Sequence, residues 1–276
     1  MTKLRELIHR VTRLLIAIVS MAAAVIPRVS ESQVLETETA RFLPRGSLEA
    51  AFFYELQTAV DGREHAVPFA FEYALLNRVM VLIEPVPYTA IRPRVGRGAA
   101  GPGDMEVTSS FLVAAETRRR PAFAIAAEVK LPTARDTLIG TRKVDLAGYV
   151  IASKRLGKFD THANIGYTIV GKPAGVSVSN IFYGAAATEY HASRRVLLFG
   201  EVLAQTAAVA DGESADASGP STTPELGSAE VVGTAGIGWS LSRRALAAFS
   251  MSRDNSGATL FRTGVVLRWL PQIGSH

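Results

Sequence analysis

The sequence predicts an all-β fold, a single antiparallel transmembrane β-barrel of about twelve strands. Three observations predict it. Apolar and polar residues alternate with a period of two along most of the chain, and the alternating segments are each about as long as one membrane crossing. The mean hydropathy is positive, +0.18, yet no apolar run of about 18 residues follows the N-terminal region. A barrel reconciles the last two facts, because its lipid-facing residues occupy every second position.

The N-terminal region has the layout of an export signal. Residues 1–13 are net basic, and residues 14–26 form a short apolar stretch. This order is typical of a secretory signal peptide, and small residues place its cleavage between 24 and 33. We therefore predict a signal peptide and leader at 1–33 and the barrel at 34–276. An uncleaved anchor helix or an amphipathic helix is the alternative, but the run is short for a span and no stop-transfer pattern follows.

The composition argues against several classes of protein. The chain has no cysteine, so it has no disulfide framework and no thiolate metal site, and it suits passage through an oxidising periplasm. Part of its net charge of +5 lies in the leader. The remaining basic residues form no stripe with interleaved aromatic residues, so we expect no nucleic-acid partner.

The body of the chain alternates between two faces. Phe123 and Ile125, for example, fall on one face, and Ala124 and Ala126 fall on the other. Each segment approaches the ~9–11 residues that a tilted strand needs to cross a bilayer, whereas strands of soluble proteins have about five or six residues. The predicted strands are 47–57, 67–75, 79–87, 104–115, 121–131, 143–154, 159–170, 177–190, 195–207, 229–240, 244–253 and 258–269.

The connections between these segments alternate in length, with two exceptions near 171–176 and 254–257 that are short where the alternation predicts a long loop. Short periplasmic turns and long outer loops are typical of bacterial outer-membrane barrels, and an even strand number places both termini in the periplasm. A soluble periplasmic β-sandwich would show the same local alternation and stays open as an alternative. The longer connections are 58–66, 88–103, 132–142 and the low-complexity stretch 208–228, while the short ones lie near 76–78, 116–120, 155–158, 191–194 and 241–243.

One face of the predicted strands carries charged residues that would point into the lumen. Enclosed charges are costly unless they are paired or hydrated, so they either form a network that fills the barrel or line a water-filled channel. We expect a mixture of the two. The residues are Glu55, Glu72, Glu84, Glu106, Glu128, Lys130, Asp145, Asp160, His162, Glu201, Arg262 and Arg268.

An enzyme is a further possibility. Some outer-membrane barrels hydrolyse lipids with serine and histidine, and here His162 faces the lumen beside Ser153 of a neighbouring predicted strand. The chain has no Gly-x-Ser-x-Gly motif, however, and Asp160 and Asn164 suit a hydrogen-bonded structural histidine. No His/Asp/Glu cluster has the spacing of metal ligands. We therefore expect no catalytic residue, no metal site and no cofactor.

Five short motifs occur in order between residues 101 and 167. They are GPGD at 101–104, EVKLPT at 128–133, GTRKVD at 140–145, Ser153-Lys154 and HANIGY at 162–167. In this order they resemble the outer-membrane family of the MetA pathway of phenol degradation. The resemblance implies a β-barrel of the transporter or porin type that passes small or aromatic compounds. The chain departs from the usual outer-membrane ending, because seven residues follow Trp269.

The same motifs predict a charged cluster near the outer mouth. Glu128 and Lys130 share the inward face of one strand, and Lys143 and Asp145 begin the next strand on the same face by the same count. Side chains on adjacent strands can pair across the sheet. We therefore expect these four residues to fix the loop 132–142 and to shape the mouth.

Together these patterns predict a passive channel or transporter in the bacterial outer membrane for small solutes, aromatic or hydrophobic compounds among them. A non-conducting structural barrel and a lipid-hydrolysing barrel are the alternatives. The expected partners are outer-membrane lipid, small solutes and the barrel-assembly machinery. By the alternation of faces, Lys154 belongs to the lipid-facing side of its strand, so we expect its ammonium to lie at the periplasmic rim. The lumen and mouth residues that we single out are Glu128, Lys130, Lys143, Asp145, Asp160, His162, Asn164 and Glu201.

Overall fold

The computed structural model describes residues 34–173, 178–207 and 229–271. The predicted signal peptide and the predicted loop 208–228 lie outside these residues and stay predictions. Within them, no helix is long and apolar enough to cross a membrane. The strands are β1 (Leu48–Thr58), β2 (Gly62–Val67), β3 (Phe69–Leu76), β4 (Val79–Pro85), β5 (Tyr88–Pro93), β6 (Ala99–Gly101), β7 (Met105–Ala114), β8 (Ala122–Leu131), β9 (Asp145–Leu156), β10 (Phe159–Ile169), β11 (Ile181–His191), β12 (Val196–Gln205), β13 (Glu230–Ser242), β14 (Ala245–Asp254) and β15 (Thr259–Trp269).

The strands form one antiparallel sheet that closes on itself. Strand β1 pairs with β15 along its whole length, beginning with Leu48 opposite Trp269. Around the wall the order is β1, β3, β4, β7 and then β8 to β15 in sequence, which makes twelve crossings in the described part of the chain. The predicted strand number is confirmed. Leu48 and Trp269 lie at one rim. We call it the periplasmic rim because the first strand of the wall begins there and the last strand ends there.

Proline interrupts three of these crossings. Pro68 separates β2 from β3, Pro87 lies between β4 and β5, and Pro102 lies between β6 and β7. Proline has no backbone N–H to donate, so the hydrogen-bond ladder stops at each position and resumes beyond it. The prediction of loops at 58–66 and 88–103 is wrong, because strands resume beyond these prolines. There β5 pairs with β2 on one side and with β6 on the other, and the three strands extend the wall outward.

The two faces of the wall differ as the alternation predicts. Ile125 and Ile165 are 49% and 59% exposed on the outer face, whereas Ala124 and His162 are 0% and 4% exposed inside. Large apolar side chains continue around the outer face, which suits lipid contact. Toward the periplasmic rim this outer band includes exposed aromatic side chains, namely Tyr73, Phe159, Trp239 and Trp269.

A segment that precedes β1 runs inside the barrel. Residues 34–47, which we call the lumen segment, contact the inward faces of strands on several sides of the wall. Near the periplasmic rim, the N–H of Gly46 donates to the carbonyl of Ala74 at 2.7 Å. At the other end, Val34 lines a cavity with Leu260, close to the outer loops. The segment therefore climbs from the periplasmic rim into the outer half of the lumen.

Apolar packing holds the lumen segment as well. Val34 and Leu35 belong to a buried cluster with Phe53 and Leu82 of the wall. Ala40 packs in a second cluster with Ile151, among others. A third cluster forms around Leu43, Ala74 and Met80. The second and third clusters fill the inner half of the barrel, whereas the first cluster borders the cavities of the outer half.

Candidate functional site

The outer half of the lumen contains a cavity of about 280 Å³ with an acidic lining. Glu84, Glu106 and Glu128 reach it from neighbouring strands of the wall, and Glu36 and Glu38 reach it from the lumen segment. The strand register explains why the wall carboxylates meet: Glu84 lies opposite Glu106, and the inward face of β8 follows next in the sheet. Five carboxyl groups thus face a single guanidinium, that of Arg262, in this lining.

Two tyrosines give the same cavity an aromatic wall. The rings of Tyr149 and Tyr183 meet edge to face, with centroids 5.9 Å apart. The hydroxyl of Tyr149 donates to Glu128 Oε2 at 3.2 Å. Gly166 makes room for this ring, because a Cβ at that position would lie 2.4 Å from Tyr149 Cδ1. The glycine of the HANIGY motif is therefore required sterically, because a larger residue would collide with the Tyr149 ring.

A second cavity, of about 360 Å³, continues toward the outer mouth. It shares Glu36, Leu203, Gln205 and Arg262 with the first cavity. Between the two, Arg262 Nε donates to Glu55 Oε1 at 2.6 Å, and the same guanidinium forms an ion pair with Glu36. We call the two cavities together the outer vestibule.

The lumen segment occupies the space below the vestibule, and its backbone is hydrogen-bonded to wall side chains from the inner end of the vestibule into the inner half of the lumen. The N–H of Thr37 donates to Glu201 Oε2 at 2.7 Å, and the N–H of Ala40 donates to Ser153 Oγ at 2.8 Å. In the orientation that satisfies both of its amide atoms, Asn164 donates to the carbonyl of Glu38 at 3.0 Å and accepts from its N–H at 2.6 Å. These contacts supply partners for backbone groups that would otherwise be buried without one.

Arg41 anchors the segment at the periplasmic end. Its Nε donates to Asp160 Oδ2 at 3.1 Å, and a second nitrogen forms an ion pair with Glu116. Arg155 Nε also donates to Asp160 Oδ2, at 3.0 Å. Asp160 is 1% exposed, so two guanidinium groups neutralise a buried carboxylate.

Glu116 joins this anchor to the periplasmic turn between β7 and β8. Lys154 Nζ lies 3.0 Å from its Oε1 and also donates to the carbonyl of Thr117 at 2.6 Å. Partial burial alone would raise the pKa of Glu116, but hydrogen bonds from Arg41 and Lys154 lower it to about 2. The ammonium of Lys154 thus lies at the periplasmic rim, where the alternation of faces predicts it.

His162 and Ser153 meet inside the lumen, but not as an activated pair. Ser153 Oγ lies 2.8 Å from His162 Nδ1 and accepts the N–H of Ala40 at the same time. The two residues are 1% and 4% exposed, respectively. Among the described residues, no carboxylate hydrogen-bonds to the imidazole, which a hydrolytic triad would need for its histidine. The pair instead helps to hold the lumen segment.

The predicted cluster at the outer mouth forms only in part. Lys130 forms an ion pair with Asp145 and lies 4.0 Å from Asp104 Oδ2. Glu128 is directed to the vestibule, and Lys143 is exposed and takes no part in the ion pairs of the described residues. The prediction that Lys143 begins this strand is wrong, because β9 begins at Asp145, and Arg142, with a left-handed φ of 56°, turns the chain just before it.

The loop between β8 and β9 is held mainly by residues that the sequence reasoning missed. Asp104 Oδ1 accepts the N–H of Ala134 at 3.0 Å. Gly140 allows the approach, because a Cβ there would lie 2.6 Å from the Asp104 carboxylate. On the outer side, Arg97 donates two hydrogen bonds to Asp136, at 2.6 and 2.8 Å. These bonds lower the pKa of Asp136 to about 2.

Half of the residues predicted for the site thus hold the lumen segment, directly or through Ser153. These four are Asp160, His162, Asn164 and Glu201. Sequence reasoning placed them on the inward face but missed their partner, the segment itself. A usable signal was present: thirteen residues separate the predicted leader from the first predicted strand, more than a direct entry into the wall needs. Within the described ranges, no group of three or more His, Asp or Glu residues is arranged to hold a metal ion.

Neither a protein-family profile nor a curated protein matches the chain in sequence. Its fold is similar to those of solved outer-membrane channels. The COG4313 outer membrane channel from Pseudomonas putida F1 gives a TM-score of 0.65 at 10% identity, over 88% of this chain and 100% of that one. The NanC porin gives 0.53 at 8% identity, over 79% and 98%. The KdgM porin in complex with disordered oligogalacturonate gives 0.50 at 8% identity, over 79% and 98%. The fold is therefore that of an outer-membrane β-barrel, which confirms the predicted fold class.

Proposed function

We propose that the chain is a channel of the bacterial outer membrane for small solutes, and that solutes pass when the lumen segment leaves the inner half of the barrel. The outer vestibule carries this proposal: it is a polar, acid-lined space inside a wall whose outer face is apolar. Its inner end meets a segment that is held to the wall by hydrogen bonds, ion pairs and apolar packing, without a covalent cross-link. Such contacts can be exchanged for water one at a time.

The lining of the vestibule defines the solute class that we propose. A volume of about 280 Å³ is at the low end of ligand pockets, so it suits a small molecule. The carboxyl groups attract cations and repel anions, and the paired rings of Tyr149 and Tyr183 offer apolar and edge contacts to an aromatic ring. The proposed solutes are small neutral or cationic compounds, aromatic ones among them.

We further propose that the chain belongs to the MetA-pathway of phenol degradation family. The motifs that carry the resemblance have physical roles in the lumen and at its mouth. Gly140 and Asp104 fasten the loop after β8, Lys130 pairs with Asp145, and Gly166 makes room for Tyr149. These roles explain why the motifs occur together, and they support membership.

Residues 1–33 are proposed to be a signal peptide and leader that is removed on export, with the barrel-assembly machinery as the partner that then folds residues 34–276. The position of Val34 supports removal, because this residue lies inside the lumen. A new amino terminus at 24–33 would leave at most ten residues before it. The intact mass of the protein extracted from outer membranes tests this, and a mass that includes the apolar stretch 14–26 would contradict it.

Planar-bilayer recording combined with liposome uptake tests the channel. We expect discrete conductance steps and uptake of small neutral aromatic compounds faster than uptake of anions of similar size. Heat-modifiable migration on a gel verifies that the protein is folded.

The packed inner half of the lumen favours a second candidate, a non-conducting structural barrel. Conductance distinguishes a channel from a barrel without a pore. A folded protein that conducts neither with nor without the lumen segment would replace the channel with the structural barrel. We propose no enzymatic activity, since the Ser153 hydroxyl is already engaged by Ala40 and His162.

A further inference from the structure

Four arginines form a patch on the outer face of the barrel at its loop end. Arg63 lies opposite Arg92 across β2 and β5, and opposite Thr58 of β1. The row continues through Thr259 of β15 to Arg253 of β14. With Arg94, these residues line a shallow groove between the turns of the neighbouring hairpins.

The row faces away from the lumen. Arg253 is two residues from Met251, whose side chain is 46% exposed on the lipid side. Arg63 is two residues from His65, whose Nδ1 hydrogen-bonds to the outward-facing Tyr54 hydroxyl at 2.7 Å. Because alternate residues of a strand share a face, both side chains point outward, and Arg253, at the rim, also borders the second cavity.

The patch has no compensating charge in the described residues. The groove is lined by four arginines and by no aspartate or glutamate. None of the four forms an ion pair with a described residue, and the one side-chain hydrogen bond among them runs from Arg253 Nη1 to Thr259 Oγ1 at 3.3 Å. The inward-facing Arg41 and Arg262, in contrast, each meet two carboxylates.

The height of the patch matches a lipid headgroup. The apolar outer face of β1 and β15 extends from Leu48 and Trp269 to Leu56 and Phe261. Eight residues of a tilted strand correspond to roughly 20 Å, close to the apolar band of outer-membrane barrels. Thr58 begins the arginine row on the next outward position, just beyond this band.

We propose that this patch binds the phosphate groups of the phosphorylated glycolipid in the outer leaflet of the membrane. Guanidinium groups match phosphate oxygens through paired hydrogen bonds. Several of them at the edge of an apolar wall hold a lipid whose acyl chains lie against that wall and whose phosphates lie above it. Free inorganic phosphate would gain the contacts with the guanidinium groups but not the contacts between acyl chains and the apolar wall.

Native mass spectrometry of the full-length mature protein in detergent tests the patch, with bisphosphorylated and dephosphorylated lipid A as probes. We expect the wild type to bind the bisphosphorylated form more tightly, on the order of tenfold or more. The triple variant Arg63→Gln, Arg92→Gln, Arg253→Gln should lose this preference. A matched variant, Arg118→Gln, Arg119→Gln, Arg120→Gln, removes equal charge from an exposed periplasmic turn and should keep it.

Three outcomes would overturn the proposal. The first is a wild type that does not distinguish the two lipids, and the second is equal loss of preference in both triple variants. The third is complete displacement of the lipid by millimolar inorganic phosphate, which would assign the patch to a free anion. Because all substituted side chains are exposed, folding should be kept, and heat-modifiable migration verifies this for each variant.

Discussion

The inner and outer halves of the lumen differ in how their polar groups are satisfied. In the inner half, wall side chains such as Ser153 and Asp160 bond to the lumen segment, and Asn164 and Glu201 do the same at the inner end of the vestibule. In the outer half, Glu84 and Glu106 border open cavities, where carboxylates are in reach of water or of a solute. The same alternating strands build both halves. The comparison shows that the segment that the strands enclose fills the inner half, while the outer half contains cavities.

The energetics of the two halves follow from this difference. A buried backbone N–H or C=O left without its partner costs about 1–3 kcal/mol, so removing the lumen segment is costly unless water replaces it. Groups of the outer vestibule need no such replacement. We therefore expect substitutions in the inner half to change whether the barrel conducts, and substitutions in the outer half to change what it conducts.

The largest effect is expected for Arg41→Ala. It leaves the buried Asp160 with Arg155 alone of its two guanidinium partners and removes Arg41 from Glu116, which keeps Lys154, so the cost is at most the about 3–5 kcal/mol of a fully broken buried pair. The segment should then spend more time out of the inner half, and the mean conductance in planar bilayers should rise severalfold. Arg45→Ala is the matched control, because Arg45 lies exposed in the same segment. Equal conductance of both variants would contradict the closed inner half.

A smaller effect is expected in the outer vestibule. Glu84→Gln with Glu106→Gln removes two of the five carboxyl groups of the lining without changing its shape. The ratio of cation to anion permeability should fall severalfold, because the field that attracts cations is weaker. The reversal potential under a potassium chloride gradient measures this. Asp61→Asn, in an exposed outer turn, should leave the potential unchanged. A double variant with wild-type selectivity would exclude the vestibule from the solute path.

The closed half should also respond to acid through Glu116. Its pKa of about 2 lies below the value near 4.3 for a free glutamate, so the ion pair stabilises the segment fully above pH 4.3. This stabilisation is lost as the pH falls toward about 2. We expect conductance at pH 3 to exceed that at pH 6, and Glu116→Gln to remove part of the difference.

A control at the other rim isolates this effect. The pKa of Asp136 is also lowered to about 2, by Arg97 in the outer loops. Asp136→Asn removes a carboxylate of similar acidity that does not touch the lumen segment. Its conductance should keep the wild-type pH dependence. If Glu116→Gln keeps it too, the anchor does not control the inner half.

The smallest effect is expected at the outer mouth. Lys130→Gln removes the partner of Asp145 and the neighbour of Asp104, which hold the ends of the loop between β8 and β9. Cleavage by trypsin after Arg135 or Arg142 should become faster, by about twofold to fivefold for a loss of about 0.5–1 kcal/mol. Lys172→Gln, at an exposed position outside this loop, is the control and should leave the rate unchanged. Unaltered cleavage, conductance and uptake after neutral substitution of both Lys130 and Asp145 would exclude any role of the pair at the mouth.

The wall could be predicted from the sequence because its physics is local. Lipid on one side and polar lumen on the other impose a period of two, so Ile125 and Glu128 fall on their observed faces. The lumen segment could not be predicted this way. Its bonds join backbone groups of Thr37 and Ala40 to side chains more than 100 residues away, and no periodicity records such contacts.

Two smaller errors have local causes. The proline at 68 breaks the ladder, and the alternation there reads as a loop although pairing resumes beyond it. The left-handed Arg142 turns the chain before β9, and the regular strand begins only at Asp145, so the alternation does not extend to Lys143. In both places the regular strand begins or ends at a different residue from the one that the period of two indicates.

A disulfide across the inner half tests the role of the lumen segment most directly. The chain has no cysteine, so Ala40→Cys with Ser153→Cys introduces one pair at positions where the Ala40 N–H already reaches the Ser153 hydroxyl at 2.8 Å. The two single-cysteine variants serve as controls. We expect the oxidised double variant to conduct little and to gain conductance and solute uptake on reduction. Equal conductance before and after reduction, with the disulfide verified by mass, would contradict passage through the space that the lumen segment occupies.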